Sequence, residues 1–262
     1  MRISVNSTSL NVSVNQLDPT LPWLVFSNSL MTDMSIFDAQ FDEFKSRFNI
    51  LRYDQRGHGR SEITENPLNF DILSDDLLGL ISNFDIQRCI FIGLSMGVPT
   101  GIAAYEKQPE PFCAMVFIDG QPNSAPAAAE QWQNRIEAAI ENGLPMFADA
   151  TSKRWITPDN HAAKRLDLLD MMAATPLAGF IASANALKSY DYRSVLESLS
   201  VPCVLIAGAE DGQMPNTMER MSHVIPVADF HVIPKAGHVA CYEQPNNVNQ
   251  LLTPFFDRLE AY

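Results

Sequence analysis

What the chain lacks narrows its chemistry before any motif is read. Of its 262 residues only four are cysteine, Cys89, Cys113, Cys203 and Cys241. They lie far apart, and three sit in apolar strand-like runs. A disulfide framework or a metal-binding set is therefore not expected; they read as reduced core residues of a cytoplasmic protein. Positive charge is scarce, since 18 Lys and Arg against 31 Asp and Glu leave a formal net charge of −13. Such a chain is a poor match for nucleic acid or an anionic membrane, and neither is expected as a partner. No stretch approaches the ~18 consecutive apolar residues of a membrane span. The opening Met1-Arg2-Ile3-Ser4-Val5-Asn6 carries no apolar signal core. There is no internal repeat, and low complexity is confined to an Ala/Pro patch at Ser124 to Ala129. No glycine-rich phosphate loop follows a strand, so a P-loop or dinucleotide site is not supported.

What is present is a chain that is 46% hydrophobic and long enough for one α/β domain with an inserted subdomain. Residues 2–17 alternate in the manner of one or two antiparallel edge strands. Leu21 to Phe26 reads as a short buried strand ending in the small polar turn Ser27-Asn28-Ser29-Leu30-Met31-Thr32-Asp33. Asn49 to Tyr53 is the next strand, and it runs into Asp54-Gln55-Arg56-Gly57-His58-Gly59-Arg60-Ser61. The spacing predicts a helix over 69–83, with Asp71 or Ser74 near its start. Cys89 to Leu94 is an apolar strand that breaks at Gly93-Leu94-Ser95-Met96-Gly97, and a helix follows from Val98 to Lys107. Phe112 to Ile118 is another buried strand, closing at Asp119-Gly120. This order implies a mostly parallel twisted sheet covered by helices on both faces.

From about 121 to 190 the pattern becomes helical, with breaks at Pro126, Gly143-Leu144-Pro145, Pro158 and Pro176. Three or four short helices are expected there. The strand pattern resumes at Val201 to Ala207, closing at Gly208-Ala209-Glu210-Asp211-Gly212. A last strand, Ala228 to Ile233, leads to Pro234-Lys235-Ala236-Gly237-His238 and a C-terminal helix from about Pro245. The expected organisation is a core of residues 1–120 and 191–262 with a helical lid, 121–190, over the strand ends, where ligands bind in open α/β folds.

A Gly-x-Ser-x-Gly pentapeptide between strand and helix holds its serine on a sharp turn, hydroxyl exposed above the sheet. Side chains at 93 and 97 would collide with their neighbours, hence the glycines. The Met96 amide, at the first turn of the helix, is placed to donate to an oxyanion. A serine there can also merely cap a helix, so the chemistry depends on a base and an acid elsewhere. Ser95, Asp211 and His238 each follow a strand, in the order nucleophile, acid, base. All three should project from one edge of a parallel sheet. Among the other histidines, His161 falls in the lid, His223 on a helical segment and His231 inside a strand. His58, with Asp54 near it, is the competing base, and Asp119 the competing acid. Glu210 reads as a solvated neighbour. A second oxyanion amide is expected from Leu30, in the turn beside the elbow.

On these residues the chain resembles the α/β-hydrolase superfamily over nearly its whole length. Within it, it is most similar to the 3-oxoadipate enol-lactonases. That closer likeness is carried by Ser27-Asn28-Ser29-Leu30, Arg52-Tyr53-Asp54-Gln55-Arg56-Gly57-His58-Gly59, Gly93-Leu94-Ser95-Met96-Gly97, Arg154-Trp155-Ile156-Thr157-Pro158, and Gly237-His238 with Glu243-Gln244-Pro245. The resemblance implies a carboxylic ester hydrolase acting on lactone or ester bonds in aromatic catabolism, with no cofactor and no metal. It departs from the family at Val98-Pro99 behind the elbow, at Met31 where glycine is common, and at Val239-Ala240-Cys241-Tyr242 after the histidine. Each change is expected to touch the pocket wall.

Charge bears on the substrate independently. Residues 121–190 hold six bases, Arg135, Lys153, Arg154, Lys164, Arg165 and Lys188, against seven acids, so the lid is near −1 and the remainder carries −12 of the −13. A lid less acidic than its core suits a small anionic, carboxylated substrate, with Arg135 and Arg154 as the contacts to test. Trp132 and Trp155 could line the pocket or pack the lid onto the core. The leading expectation is a serine hydrolase opening a small carboxylated enol-lactone. A carboxylesterase or carbon–carbon-bond hydrolase is the alternative within catalysis. A non-catalytic ligand receptor on the same fold is the alternative outside it.

Overall fold

The computed structural model describes residues 1–63, 67–158 and 162–260. Eight strands form one sheet: β1 (Arg2–Val5), β2 (Thr8–Asn15), β3 (Trp23–Ser27), β4 (Asn49–Tyr53), β5 (Cys89–Leu94), β6 (Phe112–Ile118), β7 (Cys203–Gly208) and β8 (Ala228–Ile233). Their order across the sheet is β1-β2-β4-β3-β5-β6-β7-β8. The β1–β2 and β2–β4 pairings are antiparallel and all others parallel. The inner strands β3 to β7 are buried almost throughout because both faces are covered, and successive side chains go to opposite cores. In β5, Ile90, Ile92 and Leu94 join one cluster, while Cys89 and Phe91 join the other. In β6, Ala114, Val116 and Ile118 alternate in the same way with Met115 and Phe117.

The helices are α1 (Asp38–Phe44), α2 (Phe70–Asn83), α3 (Gly97–Lys107), α4 (Ala128–Asn142), α5 (Leu144–Trp155), α6 (Ala162–Ala173), α7 (Leu177–Leu187), α8 (Arg193–Leu196), α9 (Met214–Ser222), α10 (Ala240–Glu243) and α11 (Pro245–Glu260). Helix α2 begins where expected, and Asn69 caps its N-terminus, because its side chain accepts the Ile72 N–H at 2.9 Å from an extended backbone. Asp71 sits in the first turn, where it complements the helix dipole. A turn of 3₁₀ helix, Met34–Phe37, leads into α1. No single helix among the described residues is long and apolar enough to cross a membrane.

Helices α4 to α7 occupy the stretch between β6 and β7. Ile136, Leu144, Ala148, Leu168, Met172 and Phe180 from these helices belong to the same buried cluster as Ile90, Ile92 and Val116 of the sheet. The four-helix segment therefore shares one core with the sheet face beneath it. At one point no side chain separates the two. A Cβ on Gly57 would lie 2.9 Å from Gly179 Cα, and one on Gly179 would run into the Gly57 carbonyl. The loop after β4 and helix α7 meet there backbone to backbone.

Candidate active site

The elbow is shaped by steric exclusion. Ser95 takes φ +52°, a left-handed conformation that a serine adopts at a cost of about 1–3 kcal/mol. Its N–H donates to Ile118 O at 2.8 Å, and its carbonyl accepts the Val98 N–H at 3.0 Å. A Cβ at residue 93 would lie 2.7 Å from the Gly97 carbonyl group, and one at 97 would strike Ser27 O. With both glycines in place, β5 passes straight into α3 and the Ser95 side chain stands at the carboxyl edge of the sheet.

The loops after β7 and β8 bring two more groups to that edge. His238 Nε2 lies 2.9 Å from Ser95 Oγ, and His238 Nδ1 lies 2.7 Å from Asp211 Oδ2. The His238 and Asp211 side chains are 13% and 18% exposed. Burial pulls the imidazole pKa down, but the Asp211 charge, its hydrogen bond and then Asp119 outweigh it, and the net direction is up. This is the relay geometry in which a carboxylate orients a histidine that can take a proton from a serine hydroxyl.

The competing groups have other partners. Asp119 is fully buried; its Oδ1 accepts the Gly208 N–H at 2.7 Å and its Oδ2 the Ala240 N–H at 3.0 Å. It ties the acid loop to the histidine loop, and among the described residues it makes no hydrogen bond to the imidazole. Burial, with the Asp211 charge second, pushes its carboxyl up to about 7. His58 is fully buried outside the cavity, with Nδ1 3.2 Å from Arg56 O. Burial lowers it to about 4. Asp54 is taken up by the amides of Met34 and Arg60 and by Asn11. His223 and His231 are exposed, and His161 lies outside the described residues.

Leu30 and Met96 both line the cavity over Ser95, and neither main-chain amide donates a hydrogen bond among the described residues. The turn carrying Leu30 is organised by Asn28, which the sequence shows only as part of the family likeness and not in this role. Asn28 Nδ2 donates to Ser29 O at 3.0 Å and Thr32 O at 2.5 Å, while its Oδ1 accepts the Gln55 N–H at 2.9 Å. Met31, in the same turn, holds φ +59° and lines the cavity.

The cavity encloses about 440 Å³ between the sheet edge and helices α4 and α5. Trp132, Arg135, Arg154 and Trp155 all line it, as do Gln131 and Thr151. Arg135 stacks over the Trp132 ring at 4.4 Å. Burial and the Arg154 charge both push the Arg135 pKa down, a sign of crowded positive charge. Of the six bases in this segment, Lys153 and Arg165 pair with Asp149, Lys164 binds the carbonyls of Tyr242 and Glu243, and Lys188 binds Gln133. Arg135 and Arg154 form no ion pair among the described residues. Trp155 packs its ring against the His238 imidazole, centroids 4.6 Å apart. No group of three or more His, Cys, Asp or Glu side chains among the described residues could hold a metal ion.

The expectation that every departure from the family touches the pocket wall is corrected. Only Met31 lines the cavity. Val98 packs into the opposite core with Phe91 and Phe117, where its Cγ2 fills the space a Cβ on Gly120 would need. Pro99, Val239, Ala240 and Cys241 are buried, and they and Tyr242 lie outside the cavity lining. The reason is the direction of the chain: α3 runs from the elbow beneath the sheet edge, and α10 turns back into the core.

The family model for the alpha/beta hydrolase family matches residues 24–251. The 3-oxoadipate enol-lactonase 1 of Acinetobacter baylyi is 32% identical over 261 residues, spanning 96% of this chain and 94% of that protein. The enol-lactonase from Burkholderia xenovorans LB400 superposes with a TM-score of 0.92 at 28% identity, covering 98% of this chain and 100% of that one. A thermophilic esterase from Thermogutta terrifontis, solved with malate bound, gives 0.92 at 25% identity and covers 99% of each chain.

Proposed function

The chain belongs to the alpha/beta hydrolase family, and from that premise we propose that it is a serine hydrolase opening a small carboxylated enol-lactone. The observation that carries this reading is the Ser95–His238–Asp211 hydrogen-bond relay opening into a cavity whose far wall holds Arg135 and Arg154, neither ion-paired among the described residues. The enol-lactonases among its relatives support the choice of ring.

In this reading Ser95 Oγ attacks the lactone carbonyl while His238 Nε2 takes the hydroxyl proton. Asp211 fixes the imidazole tautomer and stabilises its cation. The Leu30 and Met96 amides hold the tetrahedral oxyanion. The ring C–O bond breaks, the enol oxygen leaves with the proton from His238, and the released enol tautomerises to the ketone. Water, deprotonated by His238, then attacks the acyl-enzyme, releasing a dicarboxylate and restoring Ser95. Residues 121–190 act as a cap on a core of 1–120 and 191–262. Arg135 and Arg154 receive the substrate carboxylate, as paired charge-assisted donors do.

A hydrolysis panel tests the reading: a carboxylated enol-lactone against neutral p-nitrophenyl esters of short acids, with wild type and Ser95→Ala. The expected result is turnover of the lactone, lowered at least about ten-thousandfold by Ser95→Ala. Equal rates for the two proteins would sink the nucleophile. Turnover of the neutral esters alone would keep the mechanism and make the protein a carboxylesterase, the reading favoured by its likeness to the Thermogutta esterase.

A further inference from the structure

The geometry points to Glu243 as a positioning residue that straps the end of α5 to the loop carrying His238. It rests on the reading of His238 as the base and adds to it a device that the relay itself does not contain. Glu243 closes α10, is 1% exposed and stands outside the cavity lining. Its carboxylate takes three donors from two segments. Oε1 accepts the Thr157 N–H at 2.7 Å and the Thr157 hydroxyl at 2.5 Å, while Oε2 accepts the Gly237 N–H at 2.7 Å. Thr157 lies just past α5; Gly237 immediately precedes His238.

The contacts around this bridge leave it no slack. The His238 N–H donates to Trp155 O at 3.0 Å. A Cβ on Gly237 would strike that same carbonyl. Lys164 of α6 donates to the carbonyls of Tyr242 and Glu243, both at 3.0 Å, and the Tyr242 hydroxyl returns a hydrogen bond to Lys164 O at 3.3 Å. On its other flank the histidine loop is held by Asp119 through the Ala240 amide. A buried carboxylate with its donors in place is costly to disturb, since any donor left facing another donor forfeits its hydrogen bond in a medium without water. Two hydrogen bonds of the imidazole, at 2.7 and 2.9 Å, depend on where residues 237 and 238 lie, and sub-ångström errors there are expensive in rate. The wall residue Trp155 and the base are thereby one mechanical unit. Seating of the α5 end and alignment of His238 are a single event.

Two variants separate the strap from mere folding. Glu243→Gln keeps the size but sets an amide N–H₂ against a donor. Glu243→Asp keeps the charge but is one methylene too short to span both segments. Active sites are counted with a p-nitrophenyl phosphonate that labels Ser95, so that unfolded protein does not contribute. Both variants should lower kcat per labelled site at least about tenfold, with KM within about threefold. The His238 titration, followed by NMR on ¹⁵N-histidine protein, needs no substrate. The groups facing that imidazole are Asp211, Asp119 and Arg154. Asp211 holds its midpoint up against burial, so a slackened loop should let the midpoint fall in both variants. A kcat per site within about twofold of wild type, together with an unchanged midpoint, would overturn the assignment. A wild type that hydrolyses nothing and resists the phosphonate would instead remove the proposed chemistry. The midpoint would still decide whether Glu243 positions the imidazole.

Discussion

The floor and the roof of the cavity are built in opposite ways. The floor consists of strand ends. Its functional groups are placed by main chain, with left-handed turns at Met31, Ser95 and Asp119 of φ +59°, +52° and +45°. Its carboxyl groups are those of Asp119, Glu210 and Asp211. The roof consists of helices α4 and α5, whose contributions to the cavity are side chains at helical spacing, and its charges there, Arg135 and Arg154, are basic. A turn that must hold an atom within tenths of an ångström tolerates few sequences, whereas a helix face can exchange side chains at little cost. The floor is suited to chemistry that does not change and the roof to selection that can. The substrate's carboxylate would enter against the arginines with its reacting carbonyl directed to Ser95.

The sharpest test of that division acts on the floor. Asp211→Asn should lower kcat/KM by about ten-thousandfold while leaving KM nearly unchanged. Protonated imidazole cannot accept the serine proton, so kcat/KM in wild type rises with pH through the His238 midpoint, held above its ordinary value. Removing the Asp211 charge leaves burial dominant, and the acid limb of the residual activity should move to lower pH. A limb that stays in place would assign it to another group. A second test asks whether roof and floor are separable at all. Phe180→Ala, in the core that both share, should cost about 3–5 kcal/mol and lower Tm by roughly 10 °C in one transition. Two transitions by calorimetry would show the roof melting as its own unit. The smallest effect belongs to the roof alone. Arg135→Ala or Arg154→Ala should raise KM for the anionic lactone about tenfold and leave neutral esters untouched. An unchanged KM would detach that arginine from the substrate.

The floor was also the more legible part of the molecule. A parallel sheet buried on both faces writes its strands as unbroken apolar runs, and Cys89–Leu94, Phe112–Ile118 and Cys203–Gly208 stand out for that reason. Because parallel strands end on one edge, residues such as Ser95, Asp211 and His238 could be placed together despite separations of 143 and 27 positions. Less was legible where several residue types compete for one role. Polar residues at 69, 71 and 74 crowd the start of α2, and the extended backbone at Asn69 makes it the cap. Helix α1 has Asp33 just before its 3₁₀ turn as its main signal, and went unread. Least legible were the buried carboxylates. Glu243 finds Thr157 86 positions away and Gly237 only six away, and nothing in its neighbourhood of sequence announces either.

The bare contact between Gly57 and Gly179 has a consequence for protein engineering. Exchanging the helical segment for that of a related hydrolase is an obvious route to new substrates. A transplanted segment will seat only if it brings a glycine to the place Gly179 occupies, because any Cβ there meets the Gly57 carbonyl. Position 57 in turn holds φ +78°, where any side chain is strained, and a Cβ there would lie 2.9 Å from Gly179 Cα. Libraries of chimaeras should therefore hold both positions constant and vary everything else along α7. The pair works as a keying feature: it sets where a grafted segment can land, whatever specificity that segment carries.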